Sequence, residues 1–283
     1  MIGGISADMK WFQSLIYGLF SGLSDVMPVS SQAHKAMLLK LFGIHSEDPV
    51  LRLFIHMAIL AALYYCCSNQ ILRMVRQLKL SGVPKKKRKR PLDIRTLMEF
   101  RMLRTMIIPV LLACLLYNRT SQWSTRLGFL AVFQLLNSVI LFLPSLMPTG
   151  NKDARSMSAF ESVLMGIGGA ASVVPGISPV GAATAVASMC GAERTFALNL
   201  TYLMHMVLTI CLIGFDFAAI FAAGLSITFQ MFIGYILAAA TAFGGAYLGI
   251  RIMRLLAVNI GYGLFVFYSF GAALLSFVLY LMV

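Results

Sequence analysis

Apolar positions along this chain come in long unbroken runs, with polar residues gathered at a few interruptions. Trp11 to Met27 is one apolar run, about 25 Å long as a helix. That falls short of a bilayer hydrocarbon core of ~30 Å. Pro28 interrupts it, because proline lacks a backbone donor and clashes with the preceding turn. The pattern predicts a helix that stops at membrane depth and a second one that starts at Pro28 and runs to about Phe42. Such a re-entrant hairpin (residues 11–42) is tolerated where protein or a water-filled cavity surrounds the break. A loop over Gly43–Pro49 carries Glu47 and Asp48. Full spans are predicted at Val50–Cys67, Phe100–Tyr117 and Leu127–Leu143, the last closed by Pro144 and Pro148.

A polar linker, Thr149–Arg155, leads to a second short apolar run, Ala159–Val174, about 24 Å long as a helix. Pro175-Gly176 breaks it, and its continuation to Met189 predicts a second re-entrant hairpin (159–189). Three more spans follow at Thr195–Phe215, Ile227–Ile250 and Leu264–Val283. The expected fold is an all-α polytopic membrane protein with about six spans and two re-entrant hairpins. These fall in two repeats, 11–148 and 156–283, whose prolines lie about 147 residues apart. Interrupted segments in corresponding halves point to a site at the repeat interface.

Composition agrees with that class. The chain of 283 residues is 59% hydrophobic and 12% charged, with mean hydropathy +0.85, against about 25% charged in a soluble domain. Its 23 basic residues outnumber 10 acidic ones, but the excess is local, with twelve between Arg73 and Arg104. A basic stretch at about 69–98, containing Lys85-Lys86-Lys87-Arg88-Lys89-Arg90, is expected to lie on the cytoplasmic side and to face anionic lipid headgroups. Between membrane helices it is not read as a nucleic-acid site, although its composition resembles a nuclear import signal. Five cysteines show neither metal-ligand spacing nor a disulfide framework and read as small buried apolar residues. No cleavable signal peptide stands out.

Candidate chemistry sits at the two breaks. Ser21 and Asp25 share one helix face. Past Pro28, the first free N–H groups lie beside Ser30 and Ser31, where a helix start favours an anion. His34 follows on the same face and can move protons near neutral pH. Asp25 could bind a metal, orient His34 or accept a proton. Singly, each residue has a plainer role as a cap or an interhelical bond, but together at a mid-membrane break they point to a site. In the second break, Gly176 permits close backbone approach and Ser178 offers a hydroxyl. Pro179 and Val180 offer no cation. His56 and His205 read as hydrogen-bonded packing residues, and Asp216 as interfacial.

Ser21-Gly22-Leu23-Ser24-Asp25-Val26-Met27-Pro28-Val29-Ser30-Ser31-Gln32-Ala33-His34 and Pro175-Gly176-Ile177-Ser178 resemble the two signature motifs of the undecaprenyl pyrophosphate phosphatase (bacitracin-resistance) family. Leu53-Phe54-Ile55-His56 and Val266-Phe267-Tyr268 are similar to further family segments. The resemblance implies interlocked inverted repeats in a bacterial plasma membrane. It also implies divalent-metal-assisted (Mg or Ca) removal of the terminal phosphate from a polyprenyl diphosphate. On that pattern Ser31 and His34 match catalytic positions and Asp25 a carboxylate that could hold the metal, while Ser30, Gly176 and Ser178 would bind phosphate. The chain departs from it at Ser21, where Glu is expected, and at Pro179, where Arg is expected. Ala33, Val180, Ala183 and Ser269 depart as well. One lost electrostatic donor costs ~10²–10³ in rate, so the resemblance predicts lipid binding with hydrolysis weakened or lost. The alternative is a non-hydrolytic lipid-phosphate or small-anion transporter on the same fold.

Overall fold

A computed structural model describes residues 9–44, 46–88, 90–223, 227–259 and 262–282. Three residues of the elements predicted above lie outside them: His45 in the first loop, Lys89 in the basic run, and Val283 at the end of the last span. The described chain is helical: α1 Trp11–Asp25, α2 Ser31–Leu41, α3 Pro49–Ser81, α4 Ile94–Cys114, α5 Tyr117–Thr120, α6 Leu127–Phe142, α7 Ala159–Ala170, α8 Pro179–Met189, α9 Arg194–Ala223, α10 Phe229–Asn259 and α11 Leu264–Leu281. Five helices, α3, α6, α9, α10 and α11, are long and apolar enough to cross a membrane. This is a multi-pass membrane protein.

Several elements differ from expectation, among them α9 and α10, which run past their expected ends at Phe215 and Ile250 to Ala223 and Asn259. The span predicted at Phe100–Tyr117 ends at Cys114, and the Tyr117–Thr125 segment continues it at a 50° bend, giving the sixth span when the pair is counted as one. Helix α3 runs on to Ser81 and α4 begins at Ile94, so much of the predicted 69–98 loop is helix. Straight-chain residues such as Leu72, Arg73, Met74 and Lys79 favour helix whether or not lipid surrounds them. Hydropathy therefore underestimates a helix that extends past the apolar core. Asp48 caps α3, accepting from the Val50 N–H at 2.8 Å, with Pro49 in the first turn.

Packing is close where side chains are small. On α1, a Cβ at Gly18 or Gly22 would lie 2.1 Å from the Ala238 carbonyl oxygen or 2.0 Å from that of Ala242. Glycine at both positions lets α1 and α10 touch backbone to backbone. Each step along α1 matches a step in the same direction along α10, so the two run parallel. Polar side chains join α6 to α11: Gln134 donates to Ser276 at 2.6 Å, Asn137 to Ser269 at 3.2 Å, and Ser138 to the Val266 carbonyl at 2.9 Å.

Most of the principal packing pairs have an exchange symmetry, the exception being α8–α9, which has no comparable α2–α3 counterpart. Swapping α1 with α7, α2 with α8, α3 with α9, α4 with α10 and α6 with α11 maps α1–α10 onto α4–α7, and α3–α10 onto α4–α9. It also maps α1–α2 onto α7–α8, and α2–α11 onto α6–α8, while α3–α9 and α6–α11 map onto themselves.

Candidate functional site

The first break covers residues 26–30. Helix α2 starts at Ser31, not at Pro28, because Ser30 is the better cap: its hydroxyl accepts from the Ala33 N–H at 3.3 Å. Pro28 stays inside the break. The three carbonyls before α2 are each bonded from another helix. Tyr202 of α9 donates to Val26 at 3.1 Å, Ser178 to Met27 at 2.9 Å, and Asn137 of α6 to Pro28 at 3.3 Å.

The second break is built as the partner of the first. Ser178 caps α8, accepting from the Gly181 N–H at 3.0 Å, and its own N–H donates to Asn137 Oδ1 at 2.9 Å. The fully buried Asn137 side chain thus ties both breaks together. Gly176 has φ +109°, and a Cβ there would come within 2.5 Å of Phe133 Cβ. Its close approach is to α6. Gly176 and Ser178, expected at a phosphate, stand in this joint, where Ser178 is fully buried. Ser30 is likewise a buried cap.

Beside the joint lies a cavity of about 470 Å³. Asp25, Ser31, Gln32 and Lys35 line it from the first break and α2, Glu47 from the following loop, and Arg52 and His56 from α3. A side chamber of about 40 Å³ shares Asp25, Ser31, Gln32 and Tyr117 and adds His205 and Pro179. Asp25 and Ser31 therefore line the same cavity, and His34 is not among its lining residues. Its Nδ1 lies 2.6 Å from the Ser30 carbonyl, which can only accept, so Nδ1 carries the proton and Nε2 accepts from the Tyr268 hydroxyl at 2.7 Å. The two rings stack at 5.6 Å. The imidazole on Asp25 is instead that of His205, 2.8 Å from Oδ2.

Three cavity features escaped the sequence. His205 was read as packing but pairs with Asp25. Asp216 was read as interfacial but is fully buried, accepting from Arg52 Nε at 2.5 Å and bonded to His56 Nδ1 at 2.6 Å. Lys35 pairs with Glu47 at 3.4 Å, and Glu47 also accepts from Tyr17 at 2.7 Å. Burial raises the Glu47 carboxyl, but Lys35 and then Arg52 more than undo that and leave it below the ordinary carboxylate range. The available signal was the four-residue spacing of Arg52 and His56, which puts both on one face of α3.

The cavity thus offers an anion three cations, Lys35, Lys40 and Arg52, with the imidazoles of His56 and, from the side chamber, His205, beside the Ser31 hydroxyl, the Asp25 carboxylate and the Lys35-paired Glu47. It does not suit a divalent metal equally well. Among the described residues no three His, Cys, Asp or Glu side chains converge, and Asp25 Oδ2 is already held by His205. Ser21 Oγ, Thr201 Oγ1 and His205 Nδ1 are buried without hydrogen-bond partners among the described residues. Serine at position 21 supplies no second carboxylate.

Comparison with known proteins places these residues in context. A family model described as bacitracin resistance protein BacA matches residues 14–275. A Methanobrevibacter smithii protein called undecaprenyl-diphosphatase is 27% identical over 70% of this chain and 73% of its own length. One of the same name from Alkaliphilus metalliredigens is 25% identical over 81% and 85%. Another, from Methanococcus vannielii, is 23% identical over 93% and 97%.

Proposed function

Since the chain belongs to the bacitracin resistance protein BacA family, we propose that it binds the phosphate end of a polyprenyl diphosphate in the 470 Å³ cavity and hydrolyses it slowly. The observation that carries this is one cavity wall holding Ser31 and Asp25 together with Lys35, Arg52 and His56. The undecaprenyl-diphosphatase names of the relatives supply the substrate class.

In this reading Lys35 and the outer guanidinium nitrogens of Arg52 receive the phosphate oxygens. Asp216 holds Arg52 by Nε. Ser31 Oγ attacks the terminal phosphorus, its proton passes to the Asp25–His205 pair, and the bond to the bridging oxygen breaks to release polyprenyl phosphate. Water then cleaves the phosphoserine. His34, bonded through both ring nitrogens, positions α2 and takes no part in proton transfer. Pro179 puts no charge on the side chamber, and a missing transition-state donor costs ~10²–10³ in rate, so turnover is slow. No step is routed through a metal.

The exchange symmetry of the helix packing supports two repeats, 11–148 and 156–283. The basic connection between α3 and α4, with Lys85, Lys86 and Lys87 exposed, supports a cytoplasmic placement against anionic lipids.

Purified protein in detergent is expected to release phosphate from a polyprenyl diphosphate at a low rate that persists in EDTA. A chelator that abolishes release would overturn the metal-free reading. Binding without release, accompanied by transfer of labelled lipid phosphate across vesicles, would establish the non-hydrolytic transporter instead. Absence of binding would defeat both.

A further inference from the structure

The polar cavity has a neighbour on its α2 side. Lys40, Thr125 and Leu127 line it and also line a second, larger hollow of about 760 Å³ between α6 and α11. The chemistry changes sharply along that hollow. Near the shared residues stand Lys40 and Arg126, with the Arg126 guanidinium 5.9 Å over the Phe129 ring. Beyond them the walls are Val132, Phe133, Phe277 and Tyr280. Leu127 to Phe133 covers about 9 Å of helix. Gly128 leaves room for the opposite wall: a Cβ there would meet the Tyr280 ring at 3.4 Å.

A ligand that fits both hollows has an anionic head and an apolar tail joined at the Lys40–Thr125–Leu127 neck. We infer that the α6–α11 groove is the binding site for the proximal isoprene units of the lipid diphosphate whose head occupies the polar cavity. This rests on the cavity reading above. The shared lining sets the occupant, since Lys40 stands at both hollows and one ligand with its anionic head in the cavity and its tail in the groove meets it at the junction. Lipid chains solvate an isoprenoid about as well as protein does, so the groove cannot gain from hydrophobic transfer. Its gain is packing of branched, unsaturated units against the Phe133, Phe277 and Tyr280 rings. The groove is accordingly a selector of chain type. Removing it changes preference by about tenfold at most.

The test uses the full chain in detergent and three probes: inorganic diphosphate, farnesyl diphosphate, and a straight-chain dodecyl diphosphate. Val132→Trp fills the groove from a position 63% exposed, and Phe277→Ala removes one wall. Leu248→Trp, exposed on α10, which lines neither hollow, is the control. The expected result is that wild type and Leu248→Trp bind farnesyl diphosphate about fivefold to tenfold more tightly than the dodecyl compound. Both groove variants lose that preference while binding inorganic diphosphate unchanged. If all four proteins keep the same farnesyl preference, or none has any, the groove is not the tail site although the cavity reading stands. If no diphosphate binds to wild type, the cavity reading falls and the groove with it.

Discussion

The two helix breaks look alike in sequence and do different work. Each has an apolar pair, a proline and a serine that caps the next helix. The first turns Asp25, Ser31 and Gln32 toward the cavity. The second faces inward: Ser178 reaches across to the Met27 carbonyl, its N–H meets Asn137, and Gly176 packs on α6. One break lines the cavity and the other holds it in shape. A bent backbone at membrane depth leaves carbonyls that water cannot satisfy, and the second break with Asn137 and Tyr202 supplies the missing donors.

That division predicts opposite signatures for substitutions at the two places. The largest effect is expected for Asn137→Leu, which strands the Pro28 carbonyl and the Ser178 N–H in a fully buried joint. At ~1–3 kcal/mol per stranded group, thermal unfolding in detergent should show a loss of about 3 kcal/mol or more. A melting temperature within a degree of wild type would refute the joint. Ser31→Ala should do the reverse, lowering phosphate release by about 10²-fold or more with stability changed by less than ~0.5 kcal/mol. Ser178→Ala removes a cap and one interhelical bond, for a stability loss of ~1–2 kcal/mol. Release should fall only in proportion to unfolding, and a loss of release in folded protein would move Ser178 into the chemistry.

The smallest effect sharpens the comparison by charge, because the second break has no ionisable side chain between Ala171 and Ser178, whereas Asp25, Lys35, Glu47 and Arg52 line the cavity beside the first. Glu47 is lowered in the folded state by Lys35 and Arg52. Its contribution is therefore fully present above the ordinary carboxylate range and is lost as pH falls through the lowered folded value. The stability gap between wild type and Glu47→Gln should be widest near neutrality and shrink in acid. A gap that widens in acid would reverse the sign assigned to the Lys35–Glu47 pair.

Much of the fold was legible because the requirement is local. A span needs an apolar run of sufficient length whatever it packs against, so α6 and α11 stand close to where hydropathy puts them. The α1–α2 and α7–α8 breaks follow from Pro28 and Pro175-Gly176, and the Ser30 and Ser178 caps from residues one turn away. The extension of α3 to Ser81 was hidden because a helix in water carries no apolar signature. The candidate site was legible at Asp25 and Ser31, which lie six residues apart. It was misread at His34, whose partner Tyr268 sits 234 residues away, and at Asp216, whose charge suggested an interface until Arg52 and His56 were found against it.

By itself, then, the amino-acid order determined the class of protein, the positions of its two broken helices and the hydroxyl and carboxylate of the first. Those follow from periodicity, length and capping within a turn or two of chain. Tertiary structure alone decided which imidazole meets Asp25, which carboxylate holds Arg52, and that the second break serves the first. These pairings join residues 180, 164 and 151 positions apart. Side chains that meet across helices leave no local trace, because each helix would form with the same residues whichever neighbour it faced.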